Sequence, residues 1–146
     1  MKDCSYMNDH QVGEKIESRG RIMTDADIRL LIASSGGEHP LHTDPIFASK
    51  MPVKRLIVQG SLILGVVDAF FSESVFCHGE KAITYGYEKI RFVRPIFIND
   101  VVRGEFELIS CEKKDDRYGL MTYQATVYNQ NNEVVFIAVE TFAVNQ

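Results

Sequence analysis

The sequence predicts an α+β fold in which an antiparallel sheet wraps around a central helix, and three observations carry that prediction. A nearly all-apolar run, Leu62, Ile63, Leu64, Val66, Val67, Ala69, Phe70 and Phe71, lies mid-chain. A helix that is apolar on every side has to be enclosed by other structure. After Gly79 the pattern changes to strand-like segments at 83–92, 100–111, 120–129 and 134–144, and the polar runs 113–117 and 129–132 between them suit hairpin turns. Helical segments followed by a strand meander place the helix on one face of the sheet.

Taken in order, Thr24 with Asp27 three residues on resembles a capping box with Asp in place of Glu, and Ile28, Leu31 and Ile32 share one helical face. A short helix is expected over 24–33, broken by 34–37. Asp44 is a good N-cap and Pro45 suits the first helical position, so a second short helix runs through Phe47 and Ala48 before Pro52. The β-branched content of the apolar run would also permit a buried strand, and periodicity alone does not separate the two. Its length favours a helix. In the segment from 100, Val102, Phe106 and Leu108 alternate with Arg103, Glu105 and Glu107, and Gly104 takes one of the inward positions.

Composition limits what the protein does. At 146 residues, with 45% hydrophobic and 25% charged side chains, the chain fits one soluble globular domain over 1–146 with enough apolar material for a core. The net charge of −4 and the scattered basic residues give no general attraction to nucleic acid or to an anionic membrane. The amino terminus is polar and carries acids, so it lacks the character of a secretion or transit signal. The longest apolar region, 62–76, is interrupted by Asp68, Ser72, Glu73 and Ser74 and is too short to span a bilayer. Cys4, Cys77 and Cys111 are odd in number and form no close ligand pair, which suits reduced thiols in a cytoplasm.

The most informative stretch is Ser35-Gly36-Gly37-Glu38-His39-Pro40-Leu41-His42-Thr43-Asp44-Pro45-Ile46-Phe47-Ala48. It resembles the hydratase motif of the MaoC-like family, which includes the (R)-specific enoyl-CoA hydratases and related dehydratases, where Ser-Gly-Asp-x-Asn-Pro-Leu-His is typical. In register, Gly37 stands at the family's catalytic Asp, His39 at its Asn and His42 at its catalytic His. The resemblance extends to Val12-Gly13-Glu14-Lys15, to the segment 21–28, to Gln59-Gly60-Ser61-Leu62 and to the segment 90–100. It implies a hot-dog fold, a homodimer pairing sheets edge to edge, and an acyl-thioester site at the subunit interface. It also implies a hydratase or dehydratase interconverting a 2-enoyl and a 3-hydroxyacyl thioester on CoA or acyl-carrier protein, with no cofactor.

That chemistry needs a water activated at the β-carbon, a proton for the α-carbon and support for the enolate-like thioester oxygen. His42 is the strongest candidate for proton handling, because an imidazole can accept and return a proton near neutral pH. Gly60, at the start of the central helix, is the candidate oxyanion donor, with Ser61 beside it and Gly37 of the motif loop in the substrate-binding set; a helix start offers unsatisfied N–H groups, and a glycine admits a close approach. Gly37 cannot orient water or relay a proton. Glu38 offers a carboxylate one position later, but in an extended loop it points to the opposite face unless Gly36-Gly37 twists the backbone, and a loop acid is otherwise expected to be solvated. His39 could supply the missing acceptor, or only the hydrogen bond that Asn makes. A His39–His42 metal pair lacks further ligands and fixed helical spacing, so no metal is expected. Cys77-His78 reads as an ordinary helix end.

Two other functions fit the same resemblance. Glu38 directed at the thioester carbonyl would make a hot-dog acyl-CoA thioesterase. Loss of the acid at Gly37 would leave a catalytically impaired acyl-thioester binding protein.

Overall fold

The computed structural model describes residues 10–76 and 82–145. In chain order the elements are β1 (Lys15–Glu17), β2 (Arg21–Ile22), α1 (Asp25–Ser35), a 3-10 turn (Pro40–His42), α2 (Pro45–Lys50), α3 (Gly60–Ser74), β3 (Ala82–Phe92), β4 (Val101–Lys113), β5 (Tyr118–Tyr128) and β6 (Val134–Asn145). Cys4, Cys77 and His78 lie outside the described residues.

Local chemistry sets the helix ends. The Thr24 hydroxyl accepts the Asp27 N–H and the Asp27 carboxylate accepts the Thr24 N–H, a reciprocal box that starts α1. Gly36, at φ 71°, stops it in the left-handed region. Asp44 accepts the N–H groups of Ile46 and Phe47 with Pro45 at the first position of α2. The apolar run forms α3, which resolves the helix-or-strand ambiguity.

The sheet is antiparallel and six-stranded, ordered β1-β4-β5-β6-β3, with β2 also pairing β4. Val102, Gly104, Phe106 and Leu108 of β4 face inward as their alternation predicts, and Met121, Tyr123, Ala125 and Val127 do the same on β5. Register shifts at Leu108/Ser110 of β4 and between Glu88 and Arg91 of β3 bend and twist the sheet, which helps it curl around a rod. The rod is α3. Ile63, Val66, Val67, Phe70 and Phe71 are buried, and the Phe71 ring lies 4.1 Å from Phe106, 4.7 Å from Phe142 and 5.4 Å from Tyr123 between centroids. Gly104 is required there, because a Cβ would come within 2.5 Å of the Phe106 ring and 3.2 Å of Phe70. This is a hot-dog fold. Among the described residues, no helix is long and apolar enough to cross a membrane.

Among the described residues one carboxyl group is enclosed with this core. Glu140 on β6 is fully buried, and neither carboxylate oxygen completes a hydrogen bond. Asp68 of α3 is its neighbour and itself accepts from the Tyr87 hydroxyl of β3. Two ionised carboxylates repel, but a proton on Glu140 converts the contact into an O–H donor facing a carboxylate. Burial, with the Asp68 charge adding to it, pushes the Glu140 carboxyl up to about 8 from its ordinary 4.5. Between those values the folded chain holds a proton that the unfolded chain has released, so raising the pH favours unfolding. The stability contribution is full below pH 4.5 and is lost as the pH rises through about 8. Denaturant unfolding from pH 4.5 to 9 is expected to show this decline, and Glu140→Gln, which cannot ionise, is expected to flatten it; an unchanged slope in the variant would assign the pH dependence to other groups.

Candidate active site

His42 ends the 3-10 turn and is fixed by one contact. Its Nδ1 lies 2.8 Å from the Ile57 carbonyl oxygen. A carbonyl only accepts, so Nδ1 carries the hydrogen and Nε2 keeps the lone pair of the neutral ring. The Ile57 N–H returns to the Leu41 carbonyl, Ile57 also bridges to Phe97, and the Val58 N–H donates to Ile96. The segment 57–58 therefore ties the loop of His42 to the strand-like stretch after β3 and leads straight into α3.

At the start of α3, Gln59 caps by its backbone alone. The Leu62 and Ile63 N–H groups turn back to the Gln59 carbonyl, whereas among the described residues those of Gly60 and Ser61 find no acceptor. Such free donors, backed by the helix dipole, favour an anionic oxygen. The far end of the Phe92 ring lies against Gly60, so that a Cβ there would meet it at 2.6 Å and this exposed ring would have to shift; glycine suits a close approach.

His42 and Gly60 line one cavity of about 390 Å³, walled otherwise by Ile57, Val58, Ile63, Phe92, Val93, Pro95, Ile96 and Val135, with Arg94 at one side. That volume suits a small apolar ligand, and the imidazole and the helix terminus are the polar features able to orient one. No carboxylate lines the cavity among the described residues.

The other sequence candidates fall outside this lining. Glu38 is exposed, and its Oε1 accepts the Thr43 hydroxyl at 2.8 Å, which draws it across the outside of the turn. His39 is exposed too; its Nδ1 accepts the Leu41 N–H at 3.2 Å and so caps the 3-10 turn as an Asn would. Its ring stands 6.1 Å from that of His42 between centroids. Ser61 is exposed on the first turn of α3. No cluster of three or more metal-ligating side chains occurs among the described residues. Sequence reasoning did not find the Ile57 carbonyl, because a backbone acceptor carries no residue signal. Phe92 and Arg94 stood within a motif segment without assigned roles.

A curled sheet around one helix, with an imidazole and a free helix start sharing an apolar cavity, defines a hot-dog protein. The chain belongs to the MaoC like domain family, whose model matches residues 8–129. It is 30% identical over 117 residues, 79% of this chain and 75% of the other, to the 3-hydroxyacyl-thioester dehydratase Z of Mycobacterium tuberculosis. The crystal structure of an Archaeoglobus protein described as a monoamine oxidase regulatory protein superimposes with a TM-score of 0.89 at 31% identity, covering 97% of this chain and 94% of that one. An (R)-hydratase from Pseudomonas aeruginosa shares the fold, with a TM-score of 0.81 at 23% identity over 96% of this chain and 85% of that one.

The backbone at the family Asp position bears on the missing acid. The left-handed φ of 71° belongs to Gly36; Gly37 has no positive φ, and a Cβ there would meet only Ser35 Oγ at 3.8 Å. Thermal melts should therefore rank Gly36→Ala as the costly change, by about 1 kcal/mol, and Gly37→Asp as nearly neutral, within about 0.5 kcal/mol. The reverse order would mean that the loop bends at Gly37.

Proposed function

We propose that this protein hydrates a trans-2-enoyl thioester, or dehydrates the matching 3-hydroxyacyl thioester, in a site where His42 does the proton work of the family's Asp and His pair. The observation that carries this is the shared cavity of His42 and Gly60, with the His42 Nε2 lone pair left free by the Nδ1–H bond to Ile57. In the hydration direction Nε2 takes a proton from water as the water oxygen bonds to C3 of the enoyl group. The C2=C3 pair of electrons moves toward the thioester carbonyl, and the resulting oxyanion lies at the Gly60 N–H. The imidazolium then returns its proton to C2, the thioester carbonyl reforms, and the sum is one H and one OH added across the double bond. A single base able to accept and return the proton closes this cycle without a carboxylate.

The exposed edge of β3, with Ile83 73% and Tyr85 69% exposed, supports pairing with a second copy, since a long open apolar edge otherwise invites uncontrolled association. The reading takes the chain as one domain and the reaction as cytoplasmic. A second reading, an acyl-thioester binder with little turnover, is supported by the position of Glu38 outside the cavity and its bond to Thr43. A thioesterase would need a carboxylate or an activated water at the thioester carbonyl, and Glu38 does not line the cavity.

Hydration of crotonyl-CoA, followed by loss of enoyl absorbance, tests the proposal. His42→Ala is expected to lower the rate by about two to four powers of ten with an unchanged circular dichroism spectrum; wild-type activity in the variant would remove His42 from the mechanism. Gly37→Asp is expected to raise hydration of this short ester by supplying a second proton-handling group beside His42, whereas a fall in rate would show that the present loop already holds its own working acid. Thiol release from a saturated acyl-CoA would instead support the thioesterase, and binding without either reaction would support the binder.

A further inference from the structure

Among the walls of the cavity, Phe92 stands apart. Val58, Ile63, Ile96 and Val135 are buried, whereas Phe92 is 56% exposed and still reaches the start of α3. Its Cζ, Cε1 and Cε2 lie 2.6, 2.8 and 3.2 Å from the place that a Cβ on Gly60 would take. The tip of the ring therefore fills the space directly over Gly60, and one added carbon there has to push it aside.

The ring is aimed by the strand that carries it. Lys89 sits at φ 53°, in the left-handed region, inside the register shift between Glu88 and Arg91, and a bulge of this kind turns the side chains that follow it. Phe92 then pairs with Phe136 of β6, ring centroids 5.5 Å apart and planes tilted by 52°. Beyond it, the N–H groups of Val93 and Arg94 both donate to the Val135 carbonyl, at 2.9 and 3.2 Å. The base of the side chain is thus fixed, and only the exposed ring has room to give.

The reaction proposed above puts the thioester oxygen at the Gly60 N–H and brings water to C3 from His42, so C2 stands between the two groups. A methyl on C2 is separated from that oxygen only by C2 and the carbonyl carbon, which brings it to the first turn of α3. The acyl chain beyond C3 leads away from the oxygen. We infer that Phe92 is a specificity-determining residue that selects thioesters unbranched at C2 by occupying the space over Gly60. This rests on the thioester reading, and it names the substrate class within it.

The test compares wild type, Phe92→Ala and Phe92→Leu, with thermal melts on the same samples. Leucine keeps an apolar side chain against Phe136 and covers the case in which the alanine variant fails to fold. Calorimetry with the unreactive esters butyryl-CoA and 2-methylbutyryl-CoA reads the steric effect alone. Wild type is expected to favour the unbranched ester by about tenfold, the lower end for one carbon in a pocket because this wall can yield. Phe92→Ala is expected to reduce that preference to about twofold, with Phe92→Leu between. Hydration of crotonyl-CoA and 2-methylcrotonyl-CoA should follow: their ratio of kcat/KM is expected to fall about fivefold in Phe92→Ala, since the intrinsic reactivity of each ester, and any loss common to both, cancels between proteins.

Equal binding of the two saturated esters by wild type, or an unchanged ratio in both variants with intact melts, would overturn the inference while leaving hydration of crotonyl-CoA to stand. An equal gain for trans-2-hexenoyl-CoA would also overturn it, because the ring would then be limiting total volume rather than C2. Discrimination in binding without turnover of either enoyl ester would support the inference under the binder reading. Binding of no ester by wild type would remove the thioester reading and this inference together.

Discussion

The structure depends on the enclosure of α3. A helix with Ile63, Val66, Val67, Phe70 and Phe71 buried has no stable place except inside a curled sheet. Each large apolar side chain buried there contributes on the order of 1.5–3 kcal/mol. The rings of Phe70, Phe71, Phe106, Tyr123 and Phe142 together therefore outweigh the cost of enclosing one protonated carboxyl, roughly 1–3 kcal/mol for an unsatisfied polar group. Glu140 can be tolerated for that reason. Enclosure also fixes function, because a helix held along its length must present its first turn at one place. That place is the wall of the cavity that His42 also lines, where the Phe92 ring lies against Gly60 and couples the end of β3 to the helix start.

Much of this was legible in the sequence wherever a side chain acts on its own backbone. Thr24 with Asp27, and Asp44 with Pro45, announce helix starts because the capping partners are only a few residues away. The inward alternation of Val102, Phe106 and Leu108 is equally direct, since one face of β4 packs on α3. β1 and β2 were not legible: strands of three and two residues are too short to show a period of two. Glu140 was not legible either, because β6 is buried at Ala138, Val139 and Glu140 in succession, and no alternation remains to mark the odd residue out.

The site divides in the same way. His42 and Gly60 could be named from their motifs, and the structure brings them to one cavity. The partners that make them useful, the Ile57 carbonyl and the Phe92 ring, come from residues distant in sequence or from backbone atoms, so they needed the fold. His39 shows how a substitution can preserve one role and not another. Its ring nitrogen caps the turn as an Asn would, which keeps the loop that presents His42 in shape, while the ring itself stays outside the cavity. Loop architecture and acid chemistry are separable here: the first is held by His39, Thr43 and Asp44, and the second has no side chain at Gly37.

The division of labour between Gly36 and Gly37 has a genetic consequence. Only Gly36 needs to be glycine for the backbone, so the absence of an acid at Gly37 is no by-product of making the turn. Every glycine codon is one base change from a codon for an acidic residue. A carboxylate at this position therefore lies a single nucleotide away, at a point where the backbone is not left-handed and a Cβ would meet only Ser35 Oγ at 3.8 Å.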